Sequence, residues 1–128
     1  MNFSQFSIYF LLVLGSSLLQ AQTDCEQTPN KKAKKLYHTA TKAYAENRIG
    51  EAIKALDNSL ELDPDYADAQ YLMGYLNFKK PLGRGFAQAQ KAWLSYLDLV
   101  ALDCPKRKHY VFFYLGDMFY KTDQCKYA

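Results

Sequence analysis

The chain has 128 residues, of which 49% are hydrophobic, 16% aromatic and 23% charged; sixteen Lys+Arg against thirteen Asp+Glu give a net charge of +3. That length allows one small domain at most, the hydrophobic fraction excludes a disordered tail, and so mild a charge gives no ground for a nucleic-acid partner. The charge is also blocked: residues 22–56 carry seven basic and four acidic side chains, 57–68 five acidic and none basic, and 69–128 nine basic and four acidic. These are local faces rather than a uniform polycation.

Residues 1–21 contain no charged side chain, and 6–14 (FSIYFLLVL) are almost unbroken apolar, followed by Gly15-Ser16-Ser17 and, before polar sequence, Ala21. A short apolar core and a small residue ahead of polar sequence predict a secretory signal peptide over 1–21, cleaved near Ala21, with a leader over 22–30. The run is shorter than the ~20 apolar residues a spanning helix needs. Gln22-Thr23-Asp24 lacks the small apolar residues of a lipobox, so Cys25 is not expected to be lipidated. An exported chain is permitted disulfides. The three cysteines, Cys25, Cys104 and Cys125, leave at least one without an intrachain partner, and no CxxC or zinc spacing is present. The helix predicted between Cys104 and Cys125 holds them on the order of 20 Å apart, too far for a mutual bridge. Which cysteine is bridged, if any, stays open.

From residue 31 onward the apolar residues recur at helical spacing. Leu36, Ala40, Ala43 and Tyr44 mark a first helix, and Ala52, Ile53, Leu56 and Leu60 a second after the break at 46–50. Pro64 ends the second, since proline cannot continue a helix and restricts the residue before it. A third helix is predicted over 66–79, a fourth over 86–102 after the Lys80-Pro81-Leu82-Gly83-Arg84-Gly85 turn, and a fifth over 109–121 after Cys104-Pro105. No stretch alternates as a half-buried strand does. The fold class is all-α, antiparallel helix-turn-helix units in series.

The residues now resemble the tetratricopeptide repeat, whose pattern is W-x2-L-G-x2-Y, A-x3-F and a terminal proline over 34 residues. With Pro64 at that proline, Leu36 takes the large first position, Ala40 the small one, and Ala52 with Leu56 the A-x3-F pair. Met73-Gly74 and Ala89 with Trp93 serve the second unit, and Phe112-x2-Leu115-Gly116-x2-Phe119 the third. Thr39, Gln70 and Asn77 depart from the pattern, and the second unit is long. Starts at 33, 67 and 109 divide the domain at 31–128 into repeats of about 33–66 and 67–105 and an incomplete one at 109–128. The small residues Ala40, Gly74 and Gly116 are expected to let paired helices approach. Ala128 falls where the third repeat's second helix would open. The expectation is therefore a chain that continues, or a third helix exposing Phe112, Leu115 and Phe119 and open to self-association.

The resemblance implies a ligand along the wall made by the first helix of each repeat. Carried over position by position, that wall holds Tyr37, Tyr71 and Phe113, then Tyr44, Phe78 and Tyr120 seven residues on, with Tyr75 and Asp117 between. Lys34, Asp68, Lys79, Tyr110 and Lys121 lie at its margins. Tyrosine-rich surface suits peptide recognition. The same rings also suit sugar stacking, as on peptidoglycan, or plain packing between helices. His38 and His109 have no neighbours at triad or metal spacing, and Gly83-Arg84-Gly85 is no phosphate loop. A non-catalytic chain without cofactor or metal is expected. The order of parts, signal, cysteine leader and repeats, is also similar to the N-terminal region of Gram-negative envelope proteins that end in a peptidoglycan-binding domain of the outer-membrane-protein-A type. It implies an exported adaptor, periplasmic or outer-membrane associated, that binds a protein segment.

Overall fold

A computed structural model describes residues 28–100 and 108–126, with side chains through residue 123. The signal segment at 1–21, Cys25, Cys104 and the side chain of Cys125 lie outside the described residues. Five α-helices follow in order: α1 Lys31–Ala45, α2 Ile49–Leu62, α3 Ala67–Phe78, α4 Phe86–Leu99 and α5 Lys108–Lys126. No strand occurs among the described residues.

Local chemistry sets the breaks. Asn30 caps α1, its side-chain oxygen accepting from the amides of Lys32 (2.9 Å) and Ala33 (3.4 Å). Its own amide donates to Asp63 Oδ2 at 2.8 Å, tying the start of α1 to the turn after α2. Asn47 takes the left-handed conformation, φ 59°, between α1 and α2, which asparagine tolerates better than most residues. Arg48 then pairs with Glu46 and Glu51 across the same turn. Between α3 and α4 a 3-10 turn, Pro81–Gly83, carries two left-handed residues, Leu82 (φ 57°) and Gly83 (φ 67°). This turn holds part of the second unit's extra length.

α1 packs along α2 and α3 along α4, with α3 also against α2; α5 rests lightly on α3 and α4. The apolar faces meet in two clusters. The first joins α1, α2 and α3 through Ala33, Ala40, Ala43, Ala52, Leu56 and Leu76. Ser59, wholly buried there, donates to the Ala33 carbonyl at 2.8 Å, so a polar group on α2 helps set its register on α1. The second joins α3, α4 and α5 around Trp93, Ala89, Val111, Leu115 and Met118.

The departures from the repeat pattern have physical partners. Gln70 Nε2 donates to the Pro64 carbonyl at 3.1 Å. Buried Asn77 donates through Nδ2 to the Met73 carbonyl at 2.9 Å, and its own backbone lies so close to Gly85 that a Cβ there would overlap the Asn77 carbonyl. A polar side chain satisfied inside its own helix leaves room for that crossing, which a large apolar one would fill.

Three expectations need correction. α4 stops at Leu99 rather than residue 102, because β-branched Val100 is extended (φ −93°, ψ 119°). α5 extends beyond 109–121, to Lys108–Lys126. Leu115 is buried, not exposed, because it faces α3 and α4, whereas Phe112 and Phe119 are exposed.

Candidate functional site: an aromatic wall across three helices

Helical spacing puts Tyr44 on the last turn of α1, Tyr75 and Phe78 on the last half of α3, and Tyr114, Asp117 and Lys121 in one stripe of α5. Packing brings these into a continuous run of rings. Tyr44 meets Tyr75 edge-on at 6.2 Å between centroids, Tyr75 meets Tyr114 at 5.9 Å, and Tyr114 meets Phe78 at 5.2 Å. Phe78 stacks on Phe86 of α4 at 5.7 Å, and Tyr114 stacks on the buried indole of Trp93 at 5.3 Å. Offset and edge-to-face pairs of this kind hold rings in fixed orientation.

Two cations sit on the wall. Lys79 Nζ lies 5.3 Å from the Tyr75 ring centre, and Lys121 Nζ the same distance from that of Phe78, both within cation–π reach. Lys121 also pairs with Asp117 at 2.6 Å, one helical turn back. Tyr75 shares a hydrogen bond with Tyr44, and burial followed by that bond pushes its hydroxyl up to about 12. The neutral form is therefore the one the fold favours.

The consequence for pH follows from the raised value. The contribution of Tyr75 to stability is fully present below its unfolded pKa of about 10 and is lost as pH rises from there toward 12. Denaturant midpoints measured through that window should fall, and Tyr75→Phe should remove part of the fall.

The other expected wall residues are placed differently. Tyr37 packs on Tyr66 at 5.2 Å and on the first cluster, so it fills space between α1 and the turn that leads into α3. Tyr71 packs on Tyr96 of α4 at 5.5 Å. Phe113 and Tyr120 stand out from α5, 68% and 66% exposed. Of the margins, Lys34 and Tyr110 are exposed and Asp68 half-buried. Tyr114 was missed by sequence reasoning, although it falls in the stripe with Asp117 and Lys121, which was the available signal. No group of three or more His, Cys, Asp or Glu able to hold a metal occurs among the described residues. None of the described helices is long and apolar enough to cross a membrane.

No curated protein and no solved structure matches the chain. A family model described as TPR repeat matches residues 42–80, from the last turn of α1 through α2 and α3. With helices paired in series and no strand among the described residues, that match supports the tetratricopeptide-repeat family, and the architecture is a helical solenoid of that kind.

Proposed function

We propose that the protein is a non-catalytic, exported adaptor that binds a protein segment along the wall of α1, α3 and α5. The TPR repeat at 42–80 supports a protein-binding role. The observation that carries the reading is the run Tyr44–Tyr75–Tyr114–Phe78 with Lys79 and Lys121 held over its rings. Rigid aromatic area costs little side-chain entropy on binding, tyrosine hydroxyls can meet a peptide backbone, and the Lys79 ammonium favours a segment with acidic side chains, Lys121 being paired with Asp117. The uncharged residues 1–21 support export, and an envelope complex is the setting that export and repeats together favour.

Sugar stacking suits this wall less well. The Tyr75 ring is engaged by Tyr44, Tyr114 and Lys79, which leaves little free ring face for a pyranose.

Envelope extract passed over the immobilised chain tests the reading, with Tyr44→Ala/Lys79→Ala as the comparison. Both side chains are exposed, so helicity should be unchanged while the specifically captured protein falls by about tenfold or more. Equal capture by the variant refutes the wall as the binding face. Retention on purified peptidoglycan, lost in the variant, would favour the glycan reading.

A further inference from the structure

The face of α5 opposite its packed side is aromatic and open. Val111, Tyr114, Leu115 and Met118 turn toward α3 and α4. Helical geometry places residues three, four and seven away from Gly116 on the other side. Those are Phe113 and Phe119, Phe112 and Tyr120, and His109 and Asp123. Phe112, Phe113, Phe119 and Tyr120 are 61%, 68%, 49% and 66% exposed. Among the described residues, a Cβ built on Gly116 would meet nothing within 4 Å. Gly74, at the matching position in α3, is instead filled by Trp93 of α4.

The stripe is self-complementary. Read in either direction from Gly116, it has aromatics at three and four residues and a titratable side chain at seven. Turned antiparallel on a copy of itself, it sets Phe112 beside Tyr120 of the second copy and Phe113 beside Phe119 of the second copy. The two glycines then meet at the crossing, where the lack of side chains lets the helices approach closely. Helix dipoles favour the antiparallel direction. Four rings a side leave on the order of 1,000 Å² to bury, enough for a specific interface of modest strength.

We propose that α5 is a homodimerisation helix, pairing antiparallel with α5 of a second copy about a two-fold axis at Gly116. In the pair, Phe113 and Tyr120 become interface residues, while the Tyr44–Tyr75–Tyr114–Phe78 wall stays open on each copy. A closed isologous contact needs only this one patch.

Sedimentation equilibrium of the full chain across nanomolar to high-micromolar concentration is expected to show the mass doubling, with a midpoint in the micromolar range. Gly116→Ala adds a methyl group only at the crossing and should weaken the dimer by about tenfold or more without loss of helicity. Phe112→Asp, a side chain already exposed in the single copy, should abolish it. Neither variant alters the apolar run at 6–14, so association through that run would survive both. A concentration-independent single mass overturns the proposal, as does a dimer that both variants leave unchanged. So does a chain that stays single and saturably binds a synthetic peptide of residues 86–99, because the face would then accept a helix like α4 rather than itself.

Discussion

Gly74→Ala is expected to lower the free energy of unfolding by about 3 kcal/mol, while Gly116→Ala, in dilute solution, raises it by roughly 0.5–1 kcal/mol. Both glycines follow a large apolar residue in a mid-helix position, and both are in helices that open a repeat. The difference lies in what faces them. At Gly74 a Cβ would overlap the five-membered part of the Trp93 indole, 2.2 Å from Nε1, 2.3 Å from Cδ1 and 2.7 Å from Cε2. Trp93 is wholly buried and donates through Nε1 to the Tyr71 carbonyl at 3.2 Å. It has no room to retreat without giving up that bond and its stacking on Tyr114. At Gly116 no described residue comes within 4 Å of the added methyl, so alanine brings only its better helix propensity and a smaller loss of backbone entropy on folding. Chemical denaturation gives both values. The single tryptophan adds a local readout, since displacement of its indole in Gly74→Ala should shift its emission to the red. Equal and small effects at the two sites would refute the packing argument.

Trp93→Ala should be the most damaging single truncation, at about 3–5 kcal/mol. The indole touches three helices at once: its own α4, α3 through Phe78 at 5.5 Å and the Tyr71 carbonyl, and α5 through Tyr114. α5 rests on few other contacts, chiefly Val111, Leu115 and Met118 in the same cluster. Its loss should therefore not spread evenly. Repeat architectures are held by nearest-neighbour interfaces, so the α1–α2 pair, with its own core of Ala40, Ala52 and Leu56, is expected to keep most of its order. Amide hydrogen exchange reads this directly. Protection in α4 and α5 should fall by roughly 10²–10³-fold, against a much smaller change in α1 and α2. A uniform fall along the chain would mean that the two clusters unfold as one unit.

Backbone restrictions act within a few residues, and they made most of the architecture readable before any packing was known. Pro64, the turn at Asn47 and the 80–85 turn mark where helices break, because proline cannot continue a helix and left-handed residues interrupt it locally, whereas Gly50, Gly74 and Gly116 lie within helices. Apolar spacing located α1 to α5 for the same reason, with errors only at ends such as Leu99, where side-chain branching and tertiary support compete. The repeat resemblance rested on these local signals and on the small residues Ala40, Gly74 and Gly116.

The side of a helix on which a ring finds its neighbours is not a local property. Tyr37, Tyr44, Tyr71 and Tyr75 are one residue type on the first helices of two successive repeats, yet Tyr37 packs on Tyr66, Tyr71 on Tyr96, and Tyr44 and Tyr75 meet on the open wall. Tyr114 joins that wall only because Trp93, Phe78 and Tyr75 come from two other helices to surround it. Gly74 and Gly116 follow the same rule: the sequence asks for a close approach at both, and among the described residues Trp93 of α4 supplies one at Gly74 and no residue does so at Gly116. The chain by itself determined that it would be a series of helical hairpins, because helix formation and its breaks depend on neighbours within a turn or two. Which aromatic residues became core, wall or open face was decided by contacts between residues far apart in sequence.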